Sequence, residues 1–364
     1  MSEYRENQKK IYKEKIDQLV EKMPQSIYRY VVGIESTISP HTLYEYLACD
    51  YVFLQFLHEK KYPNINIKDI SYKHLDRLVY DDFDDFLHMI YSRNLNDLKP
   101  EKANRTRNHY LSALRSWFGF LYDRDKLSKN VITKIKVSKV PDKEFVVKLD
   151  EGQEKRLIQE VNSGSSLTKQ QNAYRAKYQF METRDQMIIT LLLRTGLRVS
   201  ELVALDEDHI FFPGHCFSVQ RKRDKPDIVM LDDETEAMLK DYLAEKNALP
   251  FDKDGQAVFI TLVGEYKGKR MTVRSVQRMV KKYASAGVPE IGSCITPHRL
   301  RATFATDLLH ASDNNVKLVQ EAMAHKNIET TMVYLGQDTQ DKRANRNLLI
   351  TDREEKRTEN QKKF

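Results

Sequence analysis

Residues 25–138 read as a helical domain, and between Ser39 and Leu121 apolar side chains return at intervals of three and four, the period of helices that bury one face. The clearest helix start is Ser39-Pro40-His41-Thr42, where Ser39 suits the cap and Pro40 the first helical position. From there Tyr44, Leu47, Tyr51, Leu54 and Leu57 form one stripe. Further helices are predicted at 72–78 and 81–93, and another from Lys102 carries Tyr110, Leu114, Trp117, Phe118 and Leu121. Residues 1–24 are charged and read as a helix or arm ahead of this all-helical region.

The pattern breaks after Val131, where Lys134, Lys136, Lys139, Pro141, Asp142 and Lys143 lack helical periodicity. The linker is placed at 139–147, followed by an α+β domain over 148–350 and a charged tail over 351–364. Within that domain helices are expected at 150–162, 183–195, 272–286, 296–310, 316–324 and 328–335. The Ser-, Gln- and Lys-rich stretch 162–177 reads as a loop or a local insertion. Strands are expected at 215–221 and 227–231 around the turn Lys222-Arg223-Asp224-Lys225-Pro226, with a third short one at 257–261.

Bulk properties narrow the class. With 364 residues there is room for two domains, and no apolar run is long enough to span a bilayer or act as a secretory signal, so a cytoplasmic protein is expected. Cys49, Cys216 and Cys294 are few and scattered, which argues against a disulfide framework and against zinc spacing. A net charge of +7 favours a polyanionic partner, since each Lys or Arg set on a phosphate releases a counterion. Candidate DNA-facing cations are Lys102, Arg105, Arg107 and Arg115 in the first domain, and Arg270, Arg274, Arg278, Lys281 and Lys282 around 272–286; solvated helix faces are the plain alternative.

Three segments carry the chemistry: Arg194-Thr195-Gly196-Leu197-Arg198-Val199-Ser200-Glu201-Leu202, then Thr296-Pro297-His298-Arg299-Leu300-Arg301, then Met323-Ala324-His325-Lys326 continuing to Val333-Tyr334. In order and separation they resemble the tyrosine recombinase/integrase family, which includes phage integrases and Xer-like site-specific recombinases. The resemblance covers the whole second domain and, in general character only, the first, as a core-binding domain. It implies a catalytic set of Arg198, His298, Arg301, His325 and the nucleophile Tyr334, nine residues after His325, with Glu201 in support. It further implies a lysine in a hairpin turn, Lys222 with Lys225 second; here Arg221-Lys222-Arg223 replaces the family's common Gly-Lys-Gly. The implied architecture is a C-shaped DNA clamp, and the implied assembly a homotetramer on two double-stranded recombination sites, with room for accessory proteins.

Elementary chemistry suits these roles. Attack on a phosphodiester builds charge on the nonbridging oxygens, which the planar forks of Arg198 and Arg301 match bidentately. A phenol of pKa about 10 is a feeble nucleophile without a base, for which His298 is placed. A 5′ oxygen leaves poorly unless a general acid such as the hairpin lysine protonates it. His325 would donate to a nonbridging oxygen, and Glu201, three residues beyond Arg198, would orient Arg198 or His298. The chain carries no Walker-type or Gly-x-Ser-x-Gly motif and no paired-carboxylate cluster, so neither metal nor nucleotide cofactor is expected. The reading is a recombinase that cuts and rejoins DNA through a 3′-phosphotyrosyl link and a Holliday junction, integrating or excising a mobile element or inverting or resolving DNA. Its rivals are a type IB topoisomerase and an architectural DNA-binding protein without catalysis.

Overall fold

The computed structural model describes residues 3–95, 100–140, 147–178, 180–221 and 225–324. The chain divides into two compact units, Ser2–Asp142 and the part from Lys143 onward. Among the described residues no helix is long and apolar enough to cross a membrane.

Among the described residues the first unit's regular elements are all helices: α1 (Glu3–Val20), α2 (Gln25–Ile34), α3 (Pro40–Lys60), α4 (Tyr72–Asp76), α5 (Tyr80–Leu95) and α6 (Pro100–Tyr122). Ser39 Oγ accepts from the Thr42 amide at 3.1 Å, so α3 starts where the cap predicts. The core is aromatic. Phe53 stacks on Phe83 with ring centres 5.2 Å apart and meets Phe86 edge-on at 4.9 Å, while Phe118 stands edge-on to Phe83 at 4.9 Å. The charged helix α1 packs against α3 and buries Ile16 in this core. Sequence reading passed over α2, whose Tyr-Val-Val run favours strands; Ile27, Tyr30 and Val31 form its buried face.

The basic stretch after Val131 is also more ordered than its pattern suggests. Ile132 and Ile135 are buried, and Asn108 brackets Ser138, donating to its carbonyl at 2.8 Å and accepting from its amide at 2.9 Å. Arg107 donates to the Lys136 carbonyl at 3.2 Å and Arg115 to that of Ile135. These two arginines, expected on a DNA-facing surface, are therefore turned inward to satisfy backbone carbonyls; Lys102 and Arg105 are exposed.

The second unit contains α7 (Glu151–Ser163), α8 (Lys169–Lys177), α9 (Phe180–Thr195), α10 (Val199–Val203), β1 (Ile210–Phe211), β2 (Cys216–Gln220), β3 (Pro226–Met230), α11 (Asp233–Asn247), α12 (Val273–Gly287), α13 (Pro297–Ala311) and α14 (Val316–Ala322). Helix α9 is its axis: Met187, Ile188, Ile189, Leu191 and Leu192 are buried, and α7, α11 and α13 pack on it. The strands form one antiparallel sheet in the order β1-β2-β3, with Val219 opposite Asp227 and Gln220 opposite Pro226. Mainly helical architecture with a small antiparallel sheet is thus what the sequence led us to expect.

Two local expectations are corrected. Helix α8 occupies most of the stretch read as a loop, started by a Thr168–Gln171 capping box. The strand expected at 257–261 is reduced to isolated bridges, Asp206 to Ala257 and Ile260 to Arg270, because its backbone bonds to the chain at 268–271 instead of joining the sheet. The helix expected at 328–335 lies outside the described residues.

Candidate active site

The site begins where α9 ends. Gly196 turns the chain at φ +59°, a left-handed conformation that glycine adopts without strain. A Cβ there would stand 2.3 Å from the Phe304 ring, so the glycine also lets α13 approach. Two residues later Arg198 caps α10, its amide donating to Glu201 Oε2 at 2.8 Å and its guanidinium to Glu201 Oε1 at 2.7 Å. Glu201 is 3% exposed and Arg198 35% exposed, so the carboxylate lies inside while the guanidinium reaches solvent.

Glu201 has a second cation. Arg221, 7% exposed, donates from Nη1 to Glu201 Oε2 at 2.8 Å and from Nε to Asp227 Oδ2 at 2.8 Å. It immediately follows β2, and its amide donates to the Lys225 carbonyl at 2.7 Å across the hairpin turn. In the sequence Arg221 stands out only as a departure from a glycine, and this role is not apparent there. A large charged residue in place of a glycine was the available signal.

Helix α13 supplies the next pair. His298 is exposed on its first turn, and Arg301, one turn on, is 2% exposed. Arg301 donates to the carbonyls of Gly196 and Met323, tying the α9–α10 turn and the end of α14 to α13. Ala302, Ala305 and Leu309 pack on Val319 and Met323 beneath it. The chain leaving α14 toward His325 is therefore held beside Arg301 as far as Met323. Hydrogen bonds thus join Arg198 to Glu201, bring the hairpin stem to the same carboxylate, and tie Arg301 to the Gly196 carbonyl two residues before Arg198. Lys222, His325 and Tyr334 lie outside the described residues; Lys225 is described and exposed.

Of the cations near α12, Arg274, Arg278 and Lys281 are exposed on one stripe. Arg270 is a correction. Its guanidinium is held by Asp206 and by the carbonyls of Val203 and Leu205, each at 3.0 Å, so it braces the interior. Lys282 likewise points inward, 3.7 Å from the buried Asp185, and burial lowers its pKa despite that partner. Asp206, Asp208 and His209 are the one grouping of candidate metal ligands among the described residues, and Asp206 is already engaged by Arg270.

Comparison with known proteins adds to this geometry. A model described as the phage integrase family matches residues 149–341, more than half of the chain. The chain is a tyrosine recombinase of that family. It is 30% identical to tyrosine recombinase XerS of Streptococcus pneumoniae (strain P1031) over 349 residues, covering 90% of this chain and 95% of that relative. Among solved structures it resembles the Tn1549 transposon integrase in complex with transposon right end DNA, with TM-score 0.61 and 21% identity over 90% of this chain and 98% of the other. It also resembles XerH site-specific recombinase bound to palindromic difH substrate, with TM-score 0.58 and 20% identity over 81% and 77%. At these identities the two structures speak to the fold. As a tyrosine site-specific recombinase, the chain uses a fold in which two helical elements, α10 and α13, carry the guanidiniums toward one end of α9.

Proposed function

We propose that this recombinase cuts and rejoins double-stranded DNA at specific sites, with Tyr334 as nucleophile. The observation that carries the reading is the meeting, at the end of α9, of Arg198 bonded to the buried Glu201 and Arg301 bonded to the Gly196 carbonyl two residues before Arg198. The phenolic oxygen of Tyr334 bonds to phosphorus while the bond from phosphorus to the 5′ oxygen breaks. His298 accepts the phenol proton, and the hairpin lysine, Lys222 before Lys225, gives a proton to the departing oxygen. Arg198, Arg301 and His325 donate to the nonbridging oxygens, the kind of electrostatic help whose loss costs about 10²–10³ in rate per donor. The free 5′-hydroxyl of a partner strand then attacks the 3′-phosphotyrosyl link, so rejoining needs no nucleotide.

Four protomers would hold two such sites and exchange strands in two rounds through a Holliday junction. The exposed stripe Arg274, Arg278 and Lys281 is proposed to lie on DNA phosphates, as are Lys102 and Arg105. The DNA bound in the XerH and Tn1549 integrase structures supports this kind of partner. The biological setting we favour is the bacterial cytoplasm, with integration or excision of a mobile element, inversion, or resolution as the outcome.

The test is a nicked suicide duplex containing the DNA that the protein protects and cleaves. Wild-type protein should form a covalent protein–DNA band that Tyr334→Phe abolishes. A band unchanged in that variant would rule out the assigned nucleophile. Exchange of partners between two marked duplexes, as against simple loss of supercoils, separates recombination from topoisomerase action.

A further inference from the structure

We infer that Arg221 is a positioning residue for the proton donor of the cleavage step, fastening the β2–β3 hairpin stem to the carboxylate that also holds Arg198. The inference rests on the mechanism proposed above. Three bonds carry it: Arg221 Nη1 to Glu201 Oε2, Nε to Asp227 Oδ2, each at 2.8 Å, and the amide to the Lys225 carbonyl at 2.7 Å. One residue thereby joins both strands of the stem to α10. Lys222 is the next residue in the chain and Lys225 supplies the carbonyl across the turn, so both proposed donors hang from the stem that Arg221 fastens.

The geometry asks for a guanidinium. Two N–H groups on different nitrogens reach carboxylates on two different elements, a rigid fork that a lysine ammonium on a flexible stem does not reproduce. The charge arrangement matters as well. Glu201 is buried between two guanidiniums; with Arg221 gone its whole charge would fall on Arg198, tightening the hold on a group meant to donate to phosphate. Arg221 therefore steadies the proton donor and leaves Arg198 less tightly tied, and the second effect, which slows both substrates alike, is the residual that sulfur would not rescue.

In the step concerned, the lysine ammonium loses a proton to the 5′ oxygen as its bond to phosphorus breaks. If sulfur replaces that bridging oxygen, the leaving group is a thiolate, which departs without a proton because thiols are far more acidic than alcohols. A fault in donor position should then cease to matter, whereas a fault in phosphate binding or folding should persist.

The experiment compares single-turnover cleavage of suicide duplexes carrying bridging oxygen or sulfur at the scissile phosphate, by wild type, Arg221→Gln, Arg221→Lys, Asp227→Asn, Lys222→Ala and Lys225→Ala. Arg221→Gln should slow the oxygen substrate about 10²-fold, the lower range of general-acid assistance, and stay within about tenfold of wild type on sulfur. Arg221→Lys should not restore the oxygen rate. Asp227→Asn removes only the more exposed anchor, 39% exposed, and should show the same sulfur-selective rescue at smaller amplitude, which keeps the test open if Arg221→Gln folds poorly. Equal slowing on both substrates, or no slowing, overturns the role of Arg221. Rescue of a lysine variant without rescue of Arg221→Gln overturns Arg221 alone, while no rescue of either lysine variant overturns the lysine donor on which the inference depends. Absence of any Tyr334-dependent band overturns the assigned site as a whole, and the inference with it.

Discussion

The two units treat their buried polar groups in opposite ways. In the N-terminal unit Asp50 is wholly buried on α3, and neither of its oxygens has a hydrogen-bond partner among the described residues; Ser26 Oγ and Trp117 Nε1 share that condition. The second unit pairs its buried ions. Asp185 takes Arg184 at 2.6 Å and the Tyr283 hydroxyl at 3.1 Å, Lys246 meets Glu207 and donates to the Ala257 carbonyl at 2.7 Å, and Glu201 is shared by Arg198 and Arg221. An unpartnered acid can stay buried only as the neutral carboxyl, and burial raises the Asp50 pKa well above 3.8. The first unit thus stands on aromatic packing around Phe53 and carries a polar cost. In the second, the bonds that stabilise the interior also hold the site residues, so stability and site geometry depend on the same groups.

Removing a shared partner should have the largest effect. Glu201→Gln strips the charge from between two guanidiniums and should cost about 3–5 kcal/mol, the usual penalty for breaking a buried ion pair. Urea unfolding of the second unit checks this, and a loss under about 1 kcal/mol would erase the contrast between the units.

Asp50→Asn should act the other way in the first unit. The raised folded-state pKa means that the Asp50 contribution is fully present in acid below the unfolded value of 3.8, and is lost as pH rises toward the folded value. Stability followed by amide exchange in α3 should therefore fall on going from acid to neutral pH in the wild type. The variant, which cannot ionise, should lose that part of the slope and at neutral pH be spared what keeping Asp50 protonated costs the wild type. A slope unaltered by the substitution would mean that Asp50 does find a partner.

The smallest effects separate surface cations from internal ones. Alanine at Arg274, Arg278 or Lys281 should each reduce the dependence of log affinity on log salt by about one, with little change in stability. Arg270→Ala should instead weaken the fold, because Asp206 and two carbonyls lose their donor. If Arg270→Ala altered only the salt dependence, its assignment to the interior would be mistaken.

How much was legible beforehand differs by element. Helices with a local start signal were readable: the Ser39 cap of α3 appears as expected, and the helix expected at 150–162 is α7, which an Asp150–Gln153 capping box starts. Helix α2 was not, because Tyr30-Val31-Val32 favours strands locally. It gains its support from packing, including the Tyr30 hydroxyl donating to Ser116 at 2.8 Å, 86 residues away. Helix α11 was also passed over, with acidic residues crowding its first turn, although Asp232 caps it through the Thr235 amide at 2.9 Å. The basic residues split in the same manner: a lysine or arginine reads alike whether it faces solvent, as Arg278 does, or satisfies carbonyls, as Arg115 does.

What the sequence by itself determined was the kind of chemistry. Arg198, His298, Arg301, His325 and Tyr334 are residue types that phosphoryl transfer needs, and their order in the chain is visible without a fold. Tertiary structure decided which groups share a bond. Arg221 and Glu201 lie 20 residues apart, and Arg301 is 105 residues from the Gly196 carbonyl it holds. Charge and hydrogen bonding act through space over a few ångströms, so which cation steadies a reacting group, and which merely braces the interior, depends on neighbours that only folding supplies.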